Sequence, residues 1–60
     1  MKVTDIVIEF NHETRNRHVY PNAIYCTVVD RVYRITDQNM DTIIYPLCNI
    51  LKITEKRHEQ

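Results

Sequence analysis

The chain has no glycine and no tryptophan, and no serine occurs anywhere in its 60 residues. Without glycine, phosphate-cradling loops of the GxGxxG or GxxxxGK kind are excluded. Without serine, a serine nucleophile is excluded as well. The same absence moves left-handed turn positions onto residues such as Asn and Asp, which tolerate them. Cysteine is scarce: Cys26 and Cys48 are too few for a secreted disulfide framework. Neither sign of charge is in excess, with eight basic and eight acidic side chains and a formal net charge of zero. A bulk electrostatic drive toward nucleic acid or an anionic membrane is therefore missing, although a local patch is still allowed. No apolar run approaches the ~20 residues needed to span a bilayer. The opening "MKVTDIVIEF" carries Asp5 and Glu9 within its apolar stretch, unlike a signal peptide. A cytoplasmic protein with no membrane partner is expected.

What is present is 43% hydrophobic residues, enough for a globular fold. Sixty residues make one domain. A chain this short buries only about 60% of its unfolded surface. Ordering each residue costs roughly 1.5 kcal/mol, which nearly cancels what a small core contributes. Chains of this size are usually stabilised by disulfides, a metal or self-association.

Val3 to Phe10, "VTDIVIEF", alternates with period two: Ile6, Ile8 and Phe10 on one face, Asp5, Val7 and Glu9 on the other. Asn11 to Asn22, "NHETRNRHVYPN", is polar and aperiodic and reads as a long loop. Ala23 to Asp37 is rich in β-branched and aromatic residues, yet as one strand it would span ~50 Å, too long for this domain. A hairpin centred near Asp30-Arg31 resolves this. Its first arm places Ile24, Cys26 and Val28 opposite Tyr25, Thr27 and Val29; its second places Tyr33 and Ile35 opposite Arg34 and Thr36. Asp37 to Asp41, "DQNMD", is a turn.

In "IIYPLCNILKI", Pro46 has no N–H for a ladder and biases Tyr45 to extended geometry. Pro46 is expected to mark a corner between two strands, with Leu47 plugging one end of the core and Ile50 or Leu51 restarting the strand. Residues 49–59 fit a strand or a helix capped by Asn49; Ile and Thr favour a strand through about Glu55, with residues 56–60 a solvated end. The bonds Tyr20-Pro21 and Tyr45-Pro46 are open to either isomer, trans being favoured. The expected fold is all-β: an antiparallel meander of four or five short strands, as a curled sheet or a small open barrel.

His12, His18, Cys26 and Cys48 hold the residue types of a zinc site, but there is no CxxC pair and the histidines are six apart, so no metal or cofactor is expected. A Cys26–Cys48 disulfide is disfavoured in a cytoplasmic chain. Cys26 with His18, or His12 with Glu13, assembles an acid–base or nucleophilic pair only on paper, and no enzyme is expected. Apolar residues on second faces, Val7, Tyr25, Val29, Ile43 and Tyr45, point to a self-association surface, a dimer above all. Arg15, Arg17, His18, Tyr20, Arg31 and Arg34 are candidates for contact with an unidentified protein partner. Arginine with tyrosine on a β surface also suits single-stranded nucleic acid, the alternative function, which zero net charge disfavours.

From Asn22 to Thr54, ending in "YPLCNILKI", the chain resembles small early accessory proteins of phages infecting Gram-positive bacteria. The resemblance implies a stoichiometric binder, an inhibitor of host machinery or defence, and carries over no functional residues. The function expected is thus a non-enzymatic interaction module that self-associates and binds a partner protein.

Overall fold

The computed structural model describes residues 1–10 and 17–60. Six strands follow one another: β1 (Lys2–Phe10), β2 (Arg17–Ala23), β3 (Tyr25–Val29), β4 (Val32–Thr36), β5 (Thr42–Pro46) and β6 (Ile50–Glu59), with a 3-10 turn over Leu47–Asn49 before the last. They form two three-stranded sheets in the orders β2-β1-β6 and β3-β4-β5, with every pair antiparallel. The two sheets pack face to face and do not close into a barrel. Among the described residues no helix is long and apolar enough to cross a membrane.

The all-β antiparallel class agrees with the sequence. The second sheet is the expected meander; the first is not, because the last strand returns to pair with the first. Among the described residues there are six strands rather than four or five. The additional strand is β2, which occupies much of the stretch expected as a loop, since Arg17–Ala23 pairs with β1. Its sequence hides it because an edge strand is held by its neighbour's backbone and needs no apolar alternation of its own. Pro21, which lacks a donor, is tolerated at an edge or a bulge. A bulge is present here: Thr4 pairs with Ala23 and Ile6 with Tyr20, so Asp5 faces both Pro21 and Asn22.

The solvated end expected over residues 56–60 is also corrected. Residues 49–59 take the strand alternative, and β6 continues beyond Glu55 to Glu59, where Lys56, Arg57, His58 and Glu59 pair with Asp5, Thr4, Val3 and Lys2. Their side chains are mostly exposed, but their backbone completes the ladder; beyond it the Gln60 N–H donates to the Met1 carbonyl at 2.9 Å.

The core forms where the two central strands meet. Ile6 and Ile8 of β1 face Tyr33 and Ile35 of β4, with Ala23 beside them, and all five are buried. Half-buried Phe10, Tyr20, Cys26, Tyr45, Leu47, Ile50 and Ile53 surround this centre. Burying one large aliphatic side chain contributes about 1.5–3 kcal/mol, so so few of them hold the chain near the margin.

The chain changes sheets at two corners. One is Asn22–Ile24, between β2 and β3. The other is the Pro46 corner: Pro46 ends β5, Leu47 donates its N–H to the Arg31 carbonyl at 3.0 Å and packs on the core, and Ile50 starts β6 in the other sheet. Both X–Pro bonds are trans.

With no glycine, four other residues among those described hold positive φ: Asn22 at 56°, Asp30 at 50°, Arg31 at 63° and Met40 at 68°. Asp30 and Arg31 together make the two-residue loop of a tight β-hairpin, which needs φ > 0 at both positions. Met40 is held by the Asp37 loop, where the Asp37 carboxylate accepts the N–H groups of Asn39 and Asp41 at 2.9 and 3.0 Å. An L-residue in this conformation costs about 1–2 kcal/mol. Arg31→Gly should therefore raise the melting temperature by a few degrees, since about 1 kcal/mol moves it by roughly 4–8 °C at this size. Arg31→Ala, which keeps Cβ, should leave it nearly unchanged. Thermal unfolding followed by circular dichroism decides; equal melting temperatures for the two variants would remove strain at Arg31 from the account.

Candidate interaction surface

Alternation and register assign the faces of the second sheet. Cys26, Val28, Tyr33, Ile35, Ile43 and Tyr45 share the core side. Tyr25, Thr27 and Val29 of β3, Val32, Arg34 and Thr36 of β4, and Thr42, Ile44 and Pro46 of β5 share the outer side. On that outer side Tyr25 is 62% exposed, Ile44 53% and Val29 40%. A shallow depression of about 400 Å³ runs across it, lined by Tyr25, Thr27, Val29, Arg34, Thr36 and Thr42. Arg34, in register between Thr27 and Ile44, is its one charge.

The expected self-association set is therefore split. Tyr25 and Val29 lie together on this open face. Val7 is half-buried and points outward from the first sheet, in register with Val19 and Thr54. Ile43 and Tyr45 are corrected: Ile43 stands opposite core Ile35, and Tyr45 packs on the core. Ile44 takes their place on the outer face. Its exposure was hidden in "TIIYP", because period two separates Ile44 from Ile43 and Tyr45 without saying which side is covered.

Arg17 is exposed on β2 opposite Glu9. Arg31 sits at the hairpin tip and Arg34 on the outer face of the second sheet, so the described arginines of the candidate set are dispersed over both sheets. Arg15, His12 and Glu13 lie outside the described residues. His18 and Tyr20 turn toward the second sheet. His18 Nδ1 is 2.8 Å from the Tyr45 hydroxyl, and the Tyr20 hydroxyl is hydrogen-bonded to the same group. Phe10 completes the cluster, with its ring centroid 5.1 Å from that of His18 and 5.2 Å from that of Tyr45. Burial, reinforced by the Tyr20 contact, pushes the Tyr45 phenol up. His18 and Tyr20 thus serve first as a clasp between the sheets.

A second clasp sits across the sandwich from the first. Tyr33 donates its hydroxyl to Glu55 Oε2 of β6 at 2.6 Å, and the Cys26 thiol lies 3.7 Å from the same oxygen. Burial is the main cause pushing both the Tyr33 phenol and the Cys26 thiol up, which keeps the thiol protonated and a poor nucleophile. Cys26 contacts β6 while His18 contacts β5, so the two do not meet. Cys26 and Cys48 are free, and Cys48 is exposed in the 3-10 turn. Among the described residues no three His, Cys, Asp or Glu side chains gather as metal ligands.

On the outer side of the first sheet, Asp5 ties all three strands. Its Oδ1 accepts the Asn22 N–H of the β2 bulge at 2.9 Å and meets His58 Nε2 of β6 at 3.0 Å. The Asn22 N–H, then His58, hold the Asp5 carboxyl below its usual range; the hydrogen bond to Asp5 holds the His58 ring above its own.

Set against protein-family models, curated proteins and solved structures, the chain matches none.

Two outcomes follow from these contacts. A raised His58 means the folded state holds that proton more tightly than the unfolded chain. Its contribution is complete below the ordinary histidine value of about 6.5 and is lost as pH rises through the raised value. Asp5, lowered, contributes above its ordinary value of about 3.9 and loses that contribution as pH falls through the lowered one. The melting-temperature gap between the native chain and His58→Gln should therefore be widest near pH 5 and shrink toward pH 9; a constant gap would show that the pair does not titrate with folding. Separately, Tyr33→Phe leaves the ring but removes the bond to Glu55, and should cost about 1–2 kcal/mol in urea unfolding. A midpoint equal to that of the native chain would mean the clasp contributes nothing.

Proposed function

We propose that the chain is a non-enzymatic protein-interaction module that self-associates through its second sheet and acts by stoichiometric binding to a partner protein. The observation that carries this is the uncovered outer face of β3-β4-β5, where Tyr25, Val29 and Ile44 stand exposed with no acidic residue among them. An antiparallel sheet with one buried face ordinarily presents polar residues on the other. Association covers this apolar surface without requiring a larger core. Stoichiometric action is also what the likeness of residues 22–54 to phage accessory proteins would bring.

Nucleic-acid binding is less well supported. It calls for arginines and open aromatic rings on one surface, and Tyr25 with Arg34 is the one such pairing among the described candidates. The hydroxyls of Tyr20, Tyr33 and Tyr45 are all engaged within the fold.

Sedimentation equilibrium at high micromolar concentration should give a mass approaching twice the 7.3 kDa of one chain. Tyr25→Glu should return it to one chain while keeping the β circular dichroism spectrum. A protein partner captured by the native chain should be lost with the same variant. A labelled oligonucleotide at low salt should show no change in anisotropy. Native protein sedimenting as a single chain would overturn self-association, and salt-sensitive oligonucleotide binding would favour the alternative.

A further inference from the structure

The two sheets have four edge strands, and they are not equally protected. Exposed edges invite pairing with another strand, and proteins blunt them with proline, bulges and charge. On the first sheet, β2 carries Pro21 and the Asn22 bulge. Its other edge, β6, carries Lys52, Lys56 and Arg57, with a register shift opposite Glu9 and Phe10. On the second sheet, β5 is uncharged but ends in Pro46. Strand β3, "YCTVV", has no charge, no proline and no register shift against β4.

The hydrogen-bonding direction along β3 follows from its hairpin. In a two-residue loop the flanking residues, here Val29 and Val32, form the hydrogen-bonded pair, and alternation then turns Thr27 and Tyr25 toward β4. Cys26 and Val28 are left with N–H and C=O groups aimed at the open edge. On β5 the same alternation aims Thr42, Ile44 and Pro46 outward, and Pro46 has no N–H to give. The β3 edge therefore offers a complete donor and acceptor set where β5 does not.

We infer that β3 pairs antiparallel with β3 of a second copy about a two-fold axis at Thr27, joining the two β3-β4-β5 sheets into one six-stranded sheet. This rests on the self-association proposed above and places it at the β3 margin of the outer face, where Tyr25 and Val29 stand; Ile44 on β5 stays open for the partner protein. In this register Cys26 opposes Val28 of the partner subunit, so the outward-aimed groups meet and make four ladder bonds. Tyr25 lies beside Val29 of the partner subunit, an aromatic–β-branched pair, and Thr27 faces its own counterpart; both are favourable cross-strand combinations. Val28 explains itself in the same arrangement. It belongs to the core side of the sheet yet is 58% exposed, because β3 lies at the edge, and the partner's Cys26 covers it. The self-complementarity of this strand selects a second copy over an unrelated extended peptide. An edge contact of this kind falls below the ~1,200 Å² of a standard interface, so the dimer is concentration-dependent.

The test is oxidative cross-linking in a Cys26→Ala, Cys48→Ala background. With Thr27→Cys, the two copies form a non-hydrogen-bonded antiparallel pair with α-carbons ~4.5 Å apart, within the disulfide range of about 4.4–6.8 Å. With Val29→Cys, the two introduced thiols are displaced by four residues, ~13 Å along the strands. Thr27→Cys should give a covalent dimer at least tenfold faster than Val29→Cys. In the native chain, amide exchange of Cys26 and Val28 should slow as concentration rises, while that of Thr27 should not change. Equal cross-linking rates, or exchange at Cys26 and Val28 independent of concentration, would overturn the β3 edge. If the native chain nonetheless sediments as a dimer, self-association stands and only its site is wrong. If it sediments as a single chain, both fall.

Discussion

The ladder between the first strand and the last is the constraint on which the rest of this molecule depends. Every residue of β1 from Lys2 to Phe10 has a partner on β6, with one register shift near the end. Strand β1 thereby becomes the centre of its sheet, and its Ile6 and Ile8 acquire a covered face. Without β6, β1 and β2 would be an isolated two-stranded ribbon, marginal at best in water. The pairing also closes nearly the whole chain into one loop, an entropic cost set before any contact rewards it. The second sheet, a local meander, has no such cost; its β4 supplies the other half of the core.

Two inter-sheet clasps translate that ladder into a definite stacking. Tyr45 with His18, Tyr20 and Phe10 secures β5 over β1 and β2. Glu55 with Tyr33 and Cys26 secures β3 and β4 over β6. Each uses polar tips on half-buried side chains, so each adds direction to a core that is otherwise aliphatic and small. Asp5 does comparable work within one sheet, tying the β2 bulge to β6 through Asn22 and His58. Candidate binding residues such as His18 and Tyr20 turn out to be engaged in this architecture.

The architecture leaves the outer side of the second sheet uncovered, with Tyr25, Val29 and Ile44 exposed on it, and leaves Val19 and Leu51 exposed on the first. The same alternation that sends Tyr33 and Ile35 into the core sends Tyr25, Val29 and Ile44 outward, since both faces of these strands carry apolar residues. In a larger domain a helix or a third layer would cover that face. Here no further element among the described residues lies over it, and the strand at its margin lacks the charges, proline and bulges that guard the other edges. The proposed interaction function would draw on that open face and edge.

Much of this was legible in the residues themselves. Period-two alternation divides β1 and β4 correctly, because one side of each is aliphatic and the other is polar or mixed. Asp30-Arg31 was readable as a turn because one strand running through it would be too long and Asp accepts turn conformations, and Pro46 as a corner because a missing donor cannot be compensated inside a ladder. The other decisions belonged to tertiary structure. Strand β2 and the end of β6 have no apolar pattern; they are strands because β1 offers them unpaired backbone groups, and that offer is invisible locally. Ile43 and Ile44 are chemically identical, so which of them faces solvent was settled only when Ile43 came into register with Ile35 beside the core. Sequence alone determined the class of fold, the turns at Asp30-Arg31, Asp37–Asp41 and Pro46, and the two faces of the strands it revealed; which face is covered, and which edge is left open, depended on where distant strands met, because burial is a property of neighbours and not of the residue that is buried.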